Sequence, residues 1–220
     1  MIHPILLRML IPIALIDLFR FSYAPFNRLY IRVLGPFMRE SEAHDRFNGV
    51  IWYLLGTWTV LRFCPKDIGV VSICLLSWCD TAASTIGRAY GRYTPKLARG
   101  KSLAGSIAAT IVGVGTALLF WGFVAPKCWE LGVPTNDTGI NAFAYQGHLA
   151  LPEVARNALG WTKAESTITG GLALAVMSTV AGIVASVSEA IDLWNLDDNV
   201  TIPVLAGLGL TGFLKVFGEA

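Results

Sequence analysis

The 220-residue chain is 54% hydrophobic and only 15% charged, with a mean hydropathy of +0.57. Soluble domains carry about 25% charged residues. A water-soluble α-bundle is therefore disfavoured, because its long apolar runs would be hydrophobic all round. The formal net charge of +2 decides little by its size; its distribution decides more.

Apolar runs approaching the roughly 20 residues needed to cross a bilayer predict spans over 2–21, 47–63, 67–87, 103–124, 167–190 and 200–217. The expected fold is all-α: one polytopic integral membrane bundle of about six transmembrane helices. The first run holds Arg8, Asp17 and Arg20 and has no small-residue cleavage site, so it is not read as a signal peptide. Asp17 and Arg20 are spaced for a local ion pair. Over 22–46, Phe26, Arg28, Tyr30, Arg32, Phe37 and Arg39 mix aromatic and basic character, which suits a helix at headgroup level. Cys64, Cys74, Cys79 and Cys128 show no CxxC spacing, and the first three read as small apolar packers. The loop 125–166 is rich in Gly, Pro, Asn and Ala, with a short interfacial helix expected around 152–159.

Ten of the seventeen Lys and Arg residues fall in the connections 20–46, 88–102 and 191–199. The positive-inside rule puts that side in the cytoplasm. The sequon Asn136-Asp137-Thr138 then faces the lumen as a glycosylation candidate, while Asn199-Val200-Thr201 faces the cytoplasm.

Three polar segments interrupt this apolar pattern. Asp80, Ser84 and Arg88 recur every four residues, on one helix face, with Thr81 and Thr85 beside them. A charge near the bilayer centre costs roughly 2.5–3.5 kcal/mol on insertion scales, so an acid there marks a functional position. The alternative is a hydrogen-bonded seam that only joins helices. Arg88, Arg92, Lys96, Arg99 and Lys101 then crowd one short loop with Gly87, Gly91 and Gly100. Such a loop can neutralise a triphosphate, and Ser102 opens the next helix, whose first amides can bind phosphate. The Gly-Lys-Ser ending is not a P-loop, because Pro95 stands where that motif needs its first glycine. The third segment is acidic: Glu189, Asp192, Asp197 and Asp198, with Asn199. It falls on the same side as the basic loop and suits a divalent cation held by one or two carboxylates plus phosphate oxygens. His3, His44 and His148 are not placed for a metal site.

The run Ser77-Trp78-Cys79-Asp80-Thr81-Ala82-Ala83-Ser84-Thr85-Ile86-Gly87-Arg88 resembles the CTP-dependent diacylglycerol kinases of fungal type. So do Gly91-Arg92-Tyr93-Thr94-Pro95-Lys96, Lys101-Ser102-Leu103-Ala104-Gly105-Ser106, Phe47-Asn48-Gly49-Val50 and Asp197-Asp198-Asn199-Val200-Thr201-Ile202-Pro203. The resemblance covers most of the chain. It implies transfer of the CTP γ-phosphate to diacylglycerol, giving phosphatidate at the endoplasmic reticulum or nuclear envelope. The partners it implies are CTP and the membrane lipid, not nucleic acid. The wider superfamily includes dolichol and phytol kinases and the phosphatidate cytidylyltransferases. The latter usually carry Glu where Ala104 stands here, which favours the kinase. Family members usually also carry a membrane segment upstream of the region matching Ile2. The expectation is thus a single lipid kinase domain over 1–220 that lacks that segment.

On this reading Asp80 binds metal or takes the proton of the lipid hydroxyl, with Asp192 as a second catalytic acid. Arg88, Arg92, Lys96 and Lys101 hold the triphosphate, with Thr81, Ser84 and Ser102 beside them. Asp197 and Asp198 complete a site for Mg2+, or another divalent cation such as Ca2+, and Asn199 and Glu189 orient it. A cytidylyltransferase is the nearest rival enzyme. A transporter or structural membrane protein is the rival from another class.

Overall fold

The computed structural model describes residues 2–37, 47–98, 100–131, 142–191, 193 and 196–218. Asp192, Arg39, Arg46, Arg99, His44 and the sequon at 136–138 lie outside the described residues.

The apolar runs form α1 (His3–Ser22), α3 (Gly49–Phe63), α4 (Lys66–Tyr90), α5 (Leu103–Leu119), α8 (Gly170–Ala190) and α9 (Asp198–Phe217). Shorter helices are α2 (Ala24–Leu34), α6 (Ala125–Glu130) and α7 (Glu153–Leu159). A π-helical turn, Phe120–Val124, links α5 to α6. The fold is an all-α polytopic membrane bundle. Four stretches among the described residues are long and apolar enough to cross a bilayer: Lys66–Tyr93, Leu103–Cys128, Gly170–Ala190 and Asp198–Phe217. The expected first two spans fall short of that standard. Helix α3 has only 15 residues, and α1 carries Arg8, Asp17 and Arg20.

The bundle is built around α5, which packs against α4 on one side and α8 on the other. Small residues permit the close approach. A Cβ on Gly113 would lie 2.9 Å from the Gly182 Cα, and one on Gly182 would lie 2.6 Å from the Thr110 carbonyl oxygen. Ser186 adds a hydrogen bond to the Ser106 carbonyl oxygen at 3.0 Å. The core along this seam is small too: Ala109, Ala117, Ala181 and Ala185 are fully buried. Outward-facing Ile107, Ile111, Leu172, Ile183 and Val187 are exposed, as lipid-facing positions of a membrane helix are. Cys64 and Cys79 are buried free thiols, in keeping with a packing role.

The Asp17–Arg20 pair is present, at 2.5 Å and fully buried. It does more than staple one turn. The backbone N–H of Asn48 donates to Asp17 at 2.8 Å, the Asn48 amide donates to the Tyr30 hydroxyl at 3.2 Å, and Arg20 lies over the Tyr30 ring. The pair thus ties α1, α2 and the start of α3 together.

Short strands were not expected from the sequence. β1 (Lys96–Ala98) and β2 (Lys101–Ser102) form a hairpin within the basic loop, with Gly100 at φ +77° making its turn. At the other end of the bundle β3 (His148–Ala150) pairs with β4 (Thr167–Thr169). The predicted span 167–190 therefore begins with a strand, and its helix starts at Gly170. The interfacial helix expected around 152–159 is α7.

That end is organised by Asp67. Its carboxyl is fully buried and accepts from Trp121 Nε1 at 3.1 Å, Ala144 N at 2.9 Å and Tyr145 N at 3.1 Å. One side chain so joins α4, the π-helical turn and the segment leading to β3. Asp67→Ala strands three donors in the interior, each costing about 1–3 kcal/mol. The expected result is a clear drop in the thermal unfolding midpoint in detergent, partly recovered in Asp67→Asn. An unchanged midpoint in Asp67→Ala would remove this role.

Candidate functional site

The three polar segments meet at one end of the bundle. Helix α4 enters that end carrying Asp80 and leaves it at Tyr90. Helices α5 and α9 begin there, and α8 finishes there. Each junction is set by a local cap. Ser102 is the N-cap of α5 and accepts from the Gly105 N–H at 3.3 Å, while Thr94 Oγ1 accepts from the Ala104 N–H at 3.2 Å. Asp197 is the N-cap of α9 and accepts from the Asn199 N–H at 2.9 Å. Polar side chains accepting first-turn amides are what helix starts require.

Lys101, in the hairpin, is the hub. Its Nζ donates to the Glu189 carbonyl oxygen at the end of α8. It also pairs with Asp198 Oδ2 at 3.5 Å, at the start of α9. Glu189 lies within electrostatic reach of Lys101, Asp80 and Asp198. The structure therefore brings Asp80, Lys101, Glu189 and Asp198 into one cluster, from four different elements. The Glu189 Oε2 atom is buried and has no hydrogen-bond partner among the described residues.

The remaining candidates surround this cluster unequally. Ser102 is buried against Gly91, whose absent Cβ would lie 2.8 Å from the Ser102 Oγ. Arg88, Arg92 and Lys96 are exposed on the approach to the cluster. Arg88 Nε donates to the Ser84 carbonyl oxygen at 3.0 Å, and Arg92 lies over the Tyr93 ring at 4.5 Å. Thr81 and Ser84 are exposed, and their hydroxyls donate to the carbonyl oxygens of Ser77 and Thr81 on the same helix. Thr81, Ser84 and Arg88 thus bond back to carbonyls of α4 itself. Asn199 closes against α3, where a Cβ on Gly56 would lie 2.6 Å from its carbonyl oxygen.

One contributor escaped the sequence reading: Thr94 caps α5 from outside it, a role its place between Tyr93 and Pro95 does not announce. Glu189, expected there as an orienting group, carries a buried carboxylate oxygen one residue before the end of its helix.

Among the described residues, no group of three or more His, Cys, Asp or Glu is arranged to hold a metal ion. An all-protein cage is not formed there. The orphaned Glu189 oxygen beside Asp80 and Asp198 does suit a cation that takes one or two carboxylates and completes its shell with phosphate oxygens and water.

Comparison with known proteins gives the family. CTP-dependent diacylglycerol kinase 1 of Schizosaccharomyces pombe is 40% identical over 190 residues, 86% of this chain and 71% of the relative. The chain belongs to the CTP-dependent diacylglycerol kinase family. CTP-dependent diacylglycerol kinase 1 of Saccharomyces cerevisiae is 42% identical over 203 residues, 92% of this chain. That of Eremothecium gossypii is 42% identical over 196 residues, 89% of this chain. The chain spans 61% of the Saccharomyces relative and 53% of the Eremothecium one. No family model and no solved structure matches it. The family's matched stretch thus takes in both ends of the bundle and all the segments that meet at Lys101.

Proposed function

We propose that this chain is a single membrane-embedded lipid kinase domain that phosphorylates diacylglycerol with CTP, giving phosphatidic acid and CDP. The single observation that carries the reading is the meeting of Lys101 with Asp198 and Glu189 beside Asp80, where an exposed cationic loop adjoins half-buried carboxylates. The names of the relatives supply the donor and the acceptor. The excess of cations at this end favours a cytoplasm-facing site in the endoplasmic reticulum or nuclear envelope.

In the proposed reaction the free hydroxyl oxygen of diacylglycerol attacks the γ-phosphorus of CTP. The bond from the γ-phosphorus to the β,γ-bridging oxygen breaks, and CDP leaves. Asp80, half-buried on α4, takes the hydroxyl proton, with Asp192 as the second acid. Arg88, Arg92, Lys96 and Lys101 bind the triphosphate, with Ser102, Thr81 and Ser84 lining the approach. With Asp80 as the proton acceptor, Asp197 and Asp198 would hold Mg2+, or Ca2+ in its place, together with phosphate oxygens, with Glu189 and Asn199 beside them. A bound cation would supply neutralisation of the β- and γ-phosphate oxygens. Phosphoryl transfer is helped mainly by positioning and charge neutralisation, and this cluster offers both. The lipid enters sideways from the bilayer, between apolar helices.

The test is purified protein in mixed micelles with CTP and a divalent cation, offered diacylglycerol, dolichol and phytol in parallel. Phosphate transfer to diacylglycerol, well above the two isoprenoid alcohols, is expected. Transfer confined to an isoprenoid alcohol would replace the acceptor, and no transfer to any lipid would overturn the reading.

A further inference from the structure

The end of the bundle opposite the Lys101 cluster carries two adjoining cavities. One, about 390 Å³, is lined by Arg156, Lys163 and Lys215 against one carboxylate, Glu153. None of these three cations forms an ion pair with a described residue. The other, about 360 Å³, is almost wholly apolar and is walled by Trp161, Ile168, Phe213 and Phe217 among others. The cavities share Leu151, and α9 lines both, presenting Lys215 to one and Phe213 and Phe217 to the other. The one acid in the apolar cavity, Glu165, is engaged by Thr162, whose N–H and hydroxyl donate to it at 2.9 and 2.7 Å.

We propose that this paired site binds an anionic phospholipid, the phosphate in the Arg156–Lys163–Lys215 cavity and an acyl chain in the apolar one. The depth is right for a lipid. Helix α7 presents Val154 at 83% exposure, and Leu159 and Trp161 are exposed beside it. Exposed apolar residues flanking a Trp are what a segment lying at the membrane interface displays. Lys215 sits in the last turn of a membrane-spanning helix, where its stem lies along hydrocarbon and its ammonium reaches the headgroups. Charge complementarity selects the ligand. A zwitterionic headgroup balances its phosphate with its own cation, whereas an anionic headgroup brings net negative charge to a cavity that holds three cations. The apolar cavity beside it selects a lipid over a free phosphate. The site lies away from every residue assigned to phosphoryl transfer, so it stands independently of the proposed function.

The test uses the full chain in mixed micelles and reads Trp161 fluorescence as the difference between the parent protein and Trp161→Phe. The probes are phosphatidylserine and phosphatidylcholine carrying brominated acyl chains, which quench tryptophan on contact. Half-maximal quenching is expected at a mole fraction of phosphatidylserine at least about fivefold below that of phosphatidylcholine. The preference should vanish in the triple variant Arg156→Gln, Lys163→Gln, Lys215→Gln. It should survive in Arg156→Lys, Lys163→Arg, Lys215→Arg. Equal quenching of the parent protein by the two lipids would overturn the proposal, whatever the variants do. So would relief of phosphatidylserine quenching by millimolar inorganic phosphate, which would assign the site to a free anion.

Discussion

Asp80→Asn is expected to lower phosphate transfer to diacylglycerol by about 10²–10⁴-fold, the range a positioned proton acceptor contributes. The substitution keeps the size and one carbonyl oxygen of the side chain, so packing beside Cys79 and Ala83 is retained. It removes the charge and the proton-accepting oxygen. Asp80 is half-buried in a span flanked by Leu75, Leu76 and Cys79, all buried, and it faces Glu189 across the helix interface. The loss should therefore appear in kcat, with the KM for CTP and the thermal midpoint near those of the parent protein. Initial rates over a CTP series, with melting in the same detergent, decide this. Full activity in Asp80→Asn would remove Asp80 from the chemistry, and loss of activity together with a collapsed midpoint would make it a folding residue.

Lys101→Met is expected to cost about 10²–10³-fold in kcat/KM for CTP, the effect of removing one preorganised donor at a site of developing charge. Lys101 holds the end of α8 through the Glu189 carbonyl and the start of α9 through Asp198 at 3.5 Å. Its side chain is 19% exposed while that of Asp198 is 44% exposed. A pair this open to solvent contributes only about 0–1 kcal/mol to stability. Most of any fall in the melting midpoint should therefore come from the lost hydrogen bond to the Glu189 carbonyl, about 1.5–3 kcal/mol, far less than a loss of activity through unfolding would need. Lys101→Arg keeps the charge and should recover much of the activity. A melting midpoint that falls in step with activity for both variants would make Lys101 a clamp between helices and nothing more.

The sequence made the helices legible because apolar length is a strong signal: α4, α5 and α9 start and end within a few residues of the apolar runs. The polar stripe of Asp80, Ser84 and Arg88 was legible for the same reason, since periodicity alone sets which residues share a face. What the stripe's hydroxyls do was not. Thr81 and Ser84 turn back to carbonyls of their own helix, a choice fixed by local geometry that no spacing displays. The Asp17–Arg20 pair could be read from three-residue spacing. Its link to Asn48 could not, because 31 residues separate the partners. The two strand pairs were missed because strands of two or three residues carry no alternation to detect. Among the described residues, the expected first two spans are the ones that fall short, α1 by its three charges and α3 by its length of 15 residues. Asp67 is the first residue of the expected span 67–87, and its role there is hidden because its three interior donors come from residues 54 to 78 positions away.

The most direct measurement compares CTP labelled at the γ-phosphorus with CTP labelled at the α-phosphorus, each incubated with the full chain, diacylglycerol and phosphatidate in mixed micelles. The account predicts that only the γ-label enters lipid, as phosphatidic acid, with CDP released in equal amount. Entry of the α-label, with release of pyrophosphate, would make the cluster at Lys101 a cytidylyltransferase site. Entry of neither label would contradict nucleotide chemistry at this end of the bundle.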